Sequence, residues 1–150
     1  MNTKTFGLYL NKDGHGQYYN SDSPEKLIRY ITRTNGMSKR DLISWGGAGI
    51  LEDCGINSIV DQFIYVQQSH TRNGDFGKYM NHEIFSFSPE GEDTLSKNNI
   101  DIDQIARQMA RDIFERDDCQ VVYGIHHPDK NNQHKHIHFA INSVNYRTGG

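Results

Sequence analysis

The sequence predicts an α/β (α+β) domain with a central, mainly antiparallel sheet of about five strands and helices packed on one face. Three observations carry that expectation. Short apolar runs at 6–10, 58–68, 78–88, 120–127 and 134–142 are separated by turn-forming residues, the pattern of a sheet. The last two runs are joined only by the polar stretch PDKNNQ, which is too short for a crossover and forces an antiparallel return. Between Asp101 and Arg116, Ile102, Ile105, Ala106, Met109, Ile113 and Phe114 recur at helical spacing, giving an amphipathic helix that must cover a sheet face. At 150 residues the chain is expected to form one domain, 1–150, large enough to bury a core.

In chain order, FGLYL (6–10) reads as a first strand, and the turn-rich NKDGHG after it as a loop. SDSPEKLIRYITRTNG has the marks of a helix start: Ser23 can cap, Pro24 suits the first helical position, and Glu25 favours the positive helix N-terminus. Leu27, Ile28 and Ile31 form its apolar stripe, Tyr30 falls near its end, and Asn35-Gly36 closes it. Residues 37–57, with Ser38, Asp41 and a glycine cluster at Gly46, Gly47, Gly49 and Gly55, suggest a short helix and a loop. SIVDQFIYVQQ (58–68) and KYMNHEIFSFS (78–88) read as strands of a hairpin, because Asn73-Gly74 lies between them.

Composition excludes several classes. Mean hydropathy is −0.78 and no long apolar run exists, so neither a membrane span nor a signal peptide is predicted, and a cytoplasmic protein is expected. Cys54 and Cys119 lack the spacing of a disulfide framework or a thiolate zinc site. The net charge of −3 shows no overall basic footprint for nucleic acid, though it does not exclude a local one.

Histidine is the anomaly, since five of the eight (His126, His127, His134, His136 and His138) lie within thirteen residues. Side chains alternate along a strand, so His134, His136, His138, Ala140 and Asn142 share one face while Ile137, Phe139 and Ile141 share the other. Imidazoles two residues apart on a strand can share one metal ion, and the preceding strand returns His126-His127 beside them. That makes a trihistidine site with open coordination positions, on the sheet face opposite the helices. Zn²⁺ or Ni²⁺ could occupy such a nitrogen site, whereas phosphoryl transfer would use Mn²⁺ or Mg²⁺. Asn142, on the same face, could orient a ligand imidazole or cap the strand end.

The string YGIHHPDKNNQHKHIHFAINSVNYRTGG resembles motif III of the relaxases, the MobA/VirD-type nucleases of plasmid and integrative-element mobilisation. There a strand-ending His precedes an acidic turn, then His-x-His, hydrophobics and Asn. The turn between the strands is longer here than is usual in the family. The resemblance implies metal ligands at His136 and His138 and a first ligand in the 126–127 pair. Strand phase in VVYGIH favours His126, His-x-Asp favours His127 with Asp129, and His127, His134 and His136 make a third possible set. LIRYITR resembles motif I, whose helix carries the nucleophilic tyrosine, here Tyr30. YMNHEIFSFS resembles motif II, which presents His82 and Ser86 near the DNA.

What the resemblance implies is a DNA relaxase that nicks one strand of a transfer origin and becomes attached through a 5′-phosphotyrosine. Single-stranded origin DNA, accessory relaxosome proteins and a coupling protein are the implied partners. Arg29, Arg33, Lys39, Arg40 and Arg72 are candidate phosphate contacts, and Trp45 and Phe76 candidate stacking groups. The ending at Gly150, after a strand and a YRTGG turn, suggests the N-terminal part of a longer protein. Two other readings are a rolling-circle replication initiator or transposase, whose tyrosine commonly follows the His-x-His strand, and a metal- or DNA-binding module without catalysis.

Overall fold

The computed structural model describes residues 8–11, 18–70, 77–130 and 133–149. Among these residues five strands form one antiparallel sheet: β1 (Leu8–Asn11), β2 (Leu42–Ala48), β3 (Met80–Phe87), β4 (Val121–His126) and β5 (His136–Asn142). Their spatial order is β1-β3-β5-β4-β2, so β4 with His126 and β5 with His136 and His138 are adjacent near the middle. The described residues also form four α-helices: α1 (Ser23–Ile31), α2 (Gly55–Ser69), α3 (Pro89–Lys97) and α4 (Ile102–Asp117). The α+β class, the five-stranded antiparallel sheet and the helix after Asp101 are as the sequence predicts.

Helices cover both faces of the sheet, not one. On one face Ile105, Ala106, Met109, Ala110 and Ile113 of α4 pack with Leu95 of α3 against Phe85, Phe87, Tyr123, Ile125, Ile137 and Phe139. On the other, Leu27, Ile28 and Ile31 of α1 and Ile59, Val60 and Phe63 of α2 pack against Met80, Val122 and Ala140. The histidine face is therefore the face that α1 and α2 also cover. The physical cause is that β4 and β5 are buried at every position, so their second face needs an apolar cover as well.

Two local expectations are corrected. Residues 58–68 are helical: Ile56, Ile59, Val60, Phe63 and Gln67 fall on one face at three- and four-residue spacing, and this period overrides the strand preference of isoleucine, valine and tyrosine. Residues 42–48, expected as helix and loop, form strand β2. Its glycines answer to close neighbours: a Cβ on Gly46 would meet the Tyr123 hydroxyl at 2.6 Å, and one on Gly47 would collide with the Val121 carbonyl oxygen. Helix α3 had no counterpart in the sequence reading; Pro89 opens it, and the Ser88 hydroxyl caps it by accepting from Gly91 N at 2.9 Å. Residues 6 and 7 of the 6–10 run, the Asn73-Gly74 turn, Arg72 and Phe76 lie outside the described residues.

Candidate metal centre

Strand register brings the histidines together. His126 on β4 lies directly opposite His136 on β5, and Gly124 lies opposite His138. One nitrogen from each of His126, His136 and His138 falls within 4.8 Å of the other two. Ring centroids are 4.5 Å apart for His126 and His138, 5.0 Å for His136 and His138, and 5.4 Å for His126 and His136. All three rings are buried.

Helix α1 roofs the cluster by close backbone approach. A Cβ on Gly124 would run into the Ile31 carbonyl oxygen, so glycine is what lets the end of α1 settle on β4. That same carbonyl accepts from His126 Nε2 at 2.9 Å. Since a carbonyl can only accept, the His126 proton is on Nε2 and its lone pair on Nδ1, 3.4 Å from Arg33 Nη2. By the same logic His136 donates from Nδ1 to His134 O at 2.9 Å, leaving its lone pair on Nε2. His138 Nδ1 is 2.7 Å from His82 Nε2.

Burial pushes the His126 pKa down to about 4, and burial together with the neighbouring histidines holds His138 well below its ordinary value. Both rings are neutral at pH 7. Buried, neutral imidazoles, each anchored through one nitrogen, are the state in which histidine binds a divalent cation, so the donor set fits such an ion. Asp129 Oδ2 stands 3.7 Å from His136 Nε2.

The other candidates are placed as follows. His127 is exposed, with its backbone N–H given to Asp41 O at 2.7 Å. His134 points its Nδ1 to Glu92 Oε2 at 4.0 Å, away from the cluster. Half-buried Tyr30, on the last turn of α1, holds its ring edge-on to His138 at 5.9 Å and to His82 at 6.3 Å. Ser86 lies beside His136 in register and is buried. Asn142 serves the fold: its amide donates to Phe63 O and Gln120 Oε1 and accepts from Gln67 Nε2 and Val144 N, which ties the end of β5 to α2.

Among the expected phosphate contacts, Arg29 lies at the helix surface with Asn57 and Glu25. Arg33 is buried rather than at the surface, its side chain only 3% exposed. It makes a two-pronged pair with Asp41 at 2.9 Å, donates to Tyr30 O at 2.8 Å, and places its guanidinium 4.8 Å from the centre of the Tyr30 ring. Trp45 packs against the α1–α2 core. Tyr146 stacks on Phe114 of α4 at 5.6 Å and is not in ring contact with the histidines.

Two participants were not foreseen. Asp41 anchors Arg33, and nothing in its sequence context marks it. The Tyr18 hydroxyl oxygen and His82 Nδ1 share a hydrogen bond at 3.0 Å. Tyr18 and His82 line a pocket of about 260 Å³ with Lys26, Leu27 and Tyr30.

A family model described as "Relaxase: MobA/VirD2-like, nuclease domain" matches residues 30–150, most of the chain. The chain belongs to this relaxase family. No curated protein and no solved structure matches it. Membership makes the relaxase a DNA nuclease in general terms, with DNA as its partner class. The match begins at Tyr30, so the first two turns of α1 and Tyr18 precede it. Among the described residues of the relaxase no helix is long and apolar enough to cross a membrane.

Proposed function

We propose that this relaxase nicks one strand of a transfer origin by transesterification, with Tyr30 as nucleophile and a divalent cation held by His126, His136 and His138. The observation that carries this reading is the Tyr30 ring lying 5.9 Å from His138, at the edge of a buried cluster of three histidines. A bond forms between the Tyr30 hydroxyl oxygen and phosphorus, and the bond from phosphorus to the 3′ oxygen breaks. The phenol loses its proton and the departing 3′ oxygen takes one up, leaving a 5′-phosphotyrosine and a free 3′-hydroxyl. One phosphodiester replaces another, so no ATP is needed and the step can run backwards to reseal the strand.

The cation, Mn²⁺ or Mg²⁺ in function, supplies positive charge to the non-bridging phosphate oxygens when bound. An unassisted phenol, with a pKa of ~10, is a weak nucleophile at neutral pH, so in-line placement must supply much of the rate. Arg33 supports that placement by holding the end of α1 through Tyr30 O. Lys26 and Arg29, on the outer turns of α1, are suited to the phosphates of a single strand entering the pocket beside Tyr30. Relaxosome and coupling proteins that present the origin in the cytoplasm are part of this reading.

A rolling-circle initiator is disfavoured. The tyrosine following the His-x-His strand, Tyr146, is stacked on α4, on the side of the sheet away from the histidines. The test is incubation of the protein with Mn²⁺ and supercoiled DNA carrying the element's own transfer origin, followed by electrophoresis for a covalent protein–DNA species. An adduct in the wild type that disappears in Tyr30→Phe and in His136→Ala is expected. Adduct formation that survives in Tyr30→Phe would overturn the assignment of the nucleophile, and metal binding without nicking would favour a non-catalytic module.

A further inference from the structure

His138 is buried, and the group holding its second nitrogen is another histidine. His82 Nε2 lies 2.7 Å from His138 Nδ1, the two rings stack with centroids 5.0 Å apart, and His82 Nδ1 lies 3.0 Å from the Tyr18 hydroxyl. His82 is only 4% exposed, although β3 also places it at the wall of the Tyr30 pocket. Tyr18 holds its end of the chain at a cost: its φ is +53°, in the left-handed region that a bulky side chain rarely adopts. Its carbonyl accepts from Tyr79 N at 2.8 Å, which fixes this backbone turn to the start of β3.

We propose that Tyr18 and His82 are positioning residues that brace the His138 imidazole for metal binding, neither being a ligand itself. The inference rests on reading His126, His136 and His138 as the metal site. A ligand imidazole has one nitrogen for the cation, and whatever binds the other sets ring orientation and tautomer. A metal on His138 Nε2 requires the proton on Nδ1, which then donates to His82 Nε2. His82 must in turn carry its proton on Nδ1 and donate to the Tyr18 oxygen. The chain has one consistent direction, and each link removes a rotational or tautomeric alternative of His138. Here a histidine and a tyrosine take the place often filled by a carboxylate or a backbone carbonyl, so the brace adds no carboxylate near the DNA phosphate.

Calorimetric titration of the 150-residue protein with Mn²⁺ tests this, with the Co²⁺ absorption spectrum as a second reading of ligand geometry. His82→Phe is expected to weaken Mn²⁺ binding by roughly 10- to 100-fold, the usual effect of losing an outer partner of a ligand histidine. His82→Gln, whose amide oxygen still accepts from Nδ1–H, should recover most of that loss. Tyr18→Phe, which removes only a hydroxyl, should weaken binding about fivefold, the worth of one hydrogen bond, and keeps the test available if His82→Phe does not fold. Wild-type affinity in both His82→Phe and Tyr18→Phe would overturn the brace, as would Gln and Phe at position 82 being equally weak. A wild type that binds neither metal, or a His136→Ala variant that binds as tightly as wild type, would instead remove the metal site on which the brace depends.

Discussion

Individual residues in this site are chosen against their local preferences, and those departures are informative. Arg33 sits just past the C-cap of α1 with φ +55°, where glycine or asparagine is the usual occupant. Its side chain compensates by joining Asp41, Tyr30 and His126 in one buried arrangement. Nothing in the string ITRTNG marks that position as buried, which is why it reads as a surface phosphate contact. The histidine strand was legible because a period of two is strict, and phase alone favoured His126 over His127. His126 also makes a pH prediction. Its folded pKa of about 4 lies below the ordinary 6.5, so the unfolded chain takes up the proton first as pH falls. The neutral buried ring is fully compatible with folding above pH 6.5, and the stability associated with it is lost progressively towards pH 4. Denaturant midpoints of chelator-treated protein should fall across that window, and His126→Gln should show a shallower fall. Parallel profiles for the two proteins would show that His126 is not the titrating group.

At the level of elements, periodicity was readable wherever a stripe was long and uninterrupted. Helix α4 and strands β3, β4 and β5 meet that condition. Helix α2 meets it too, but its β-branched residues and the Asn-Gly pair beyond it carried more weight than its spacing. Strand β2 has no alternation to read, because glycines replace the side chains that would collide with Tyr123 and Val121. The packing of α1 on β4 likewise depends on Gly124. Gly124→Ala forces its methyl against the Ile31 carbonyl, so α1 must retreat and the bond from His126 to that carbonyl must lengthen. Overpacking of this kind costs about 1–3 kcal/mol, or roughly 3 to 10 °C in melting temperature for a domain of this size. Calorimetry should show that loss together with weaker Mn²⁺ binding, since Tyr30 and the His126 anchor ride on the same helix end. A variant that melts with the wild type would mean that α1 is not seated as tightly as its backbone approach implies.

For the molecule as a whole, the two apolar cores and the histidine cluster are separable. Neither core includes a histidine: one lies between the sheet and α3–α4, the other between the sheet and α1–α2. These cores are expected to fold without a metal, unlike a small zinc domain whose ligands are its core. The cluster occupies the end of the α1–α2 face that these helices leave for something other than hydrocarbon, and burial keeps the His126 and His138 rings neutral there. A metal that binds only the folded state must still stabilise it by mass action. At a free concentration a hundred times its Kd the gain is about 2.7 kcal/mol, which for a domain of this length raises the melting temperature by roughly 5 to 10 °C. Thermal melts with chelator and with saturating Mn²⁺ should therefore both show a cooperative transition with the same helical content beforehand, separated by that interval. His136→Ala should keep the chelator-state transition close to that of the wild type and lose the metal-dependent rise. An unfolded chelated protein would contradict the independence of the two cores, while an equal metal-dependent rise in His136→Ala would place the stabilising ion elsewhere on the molecule.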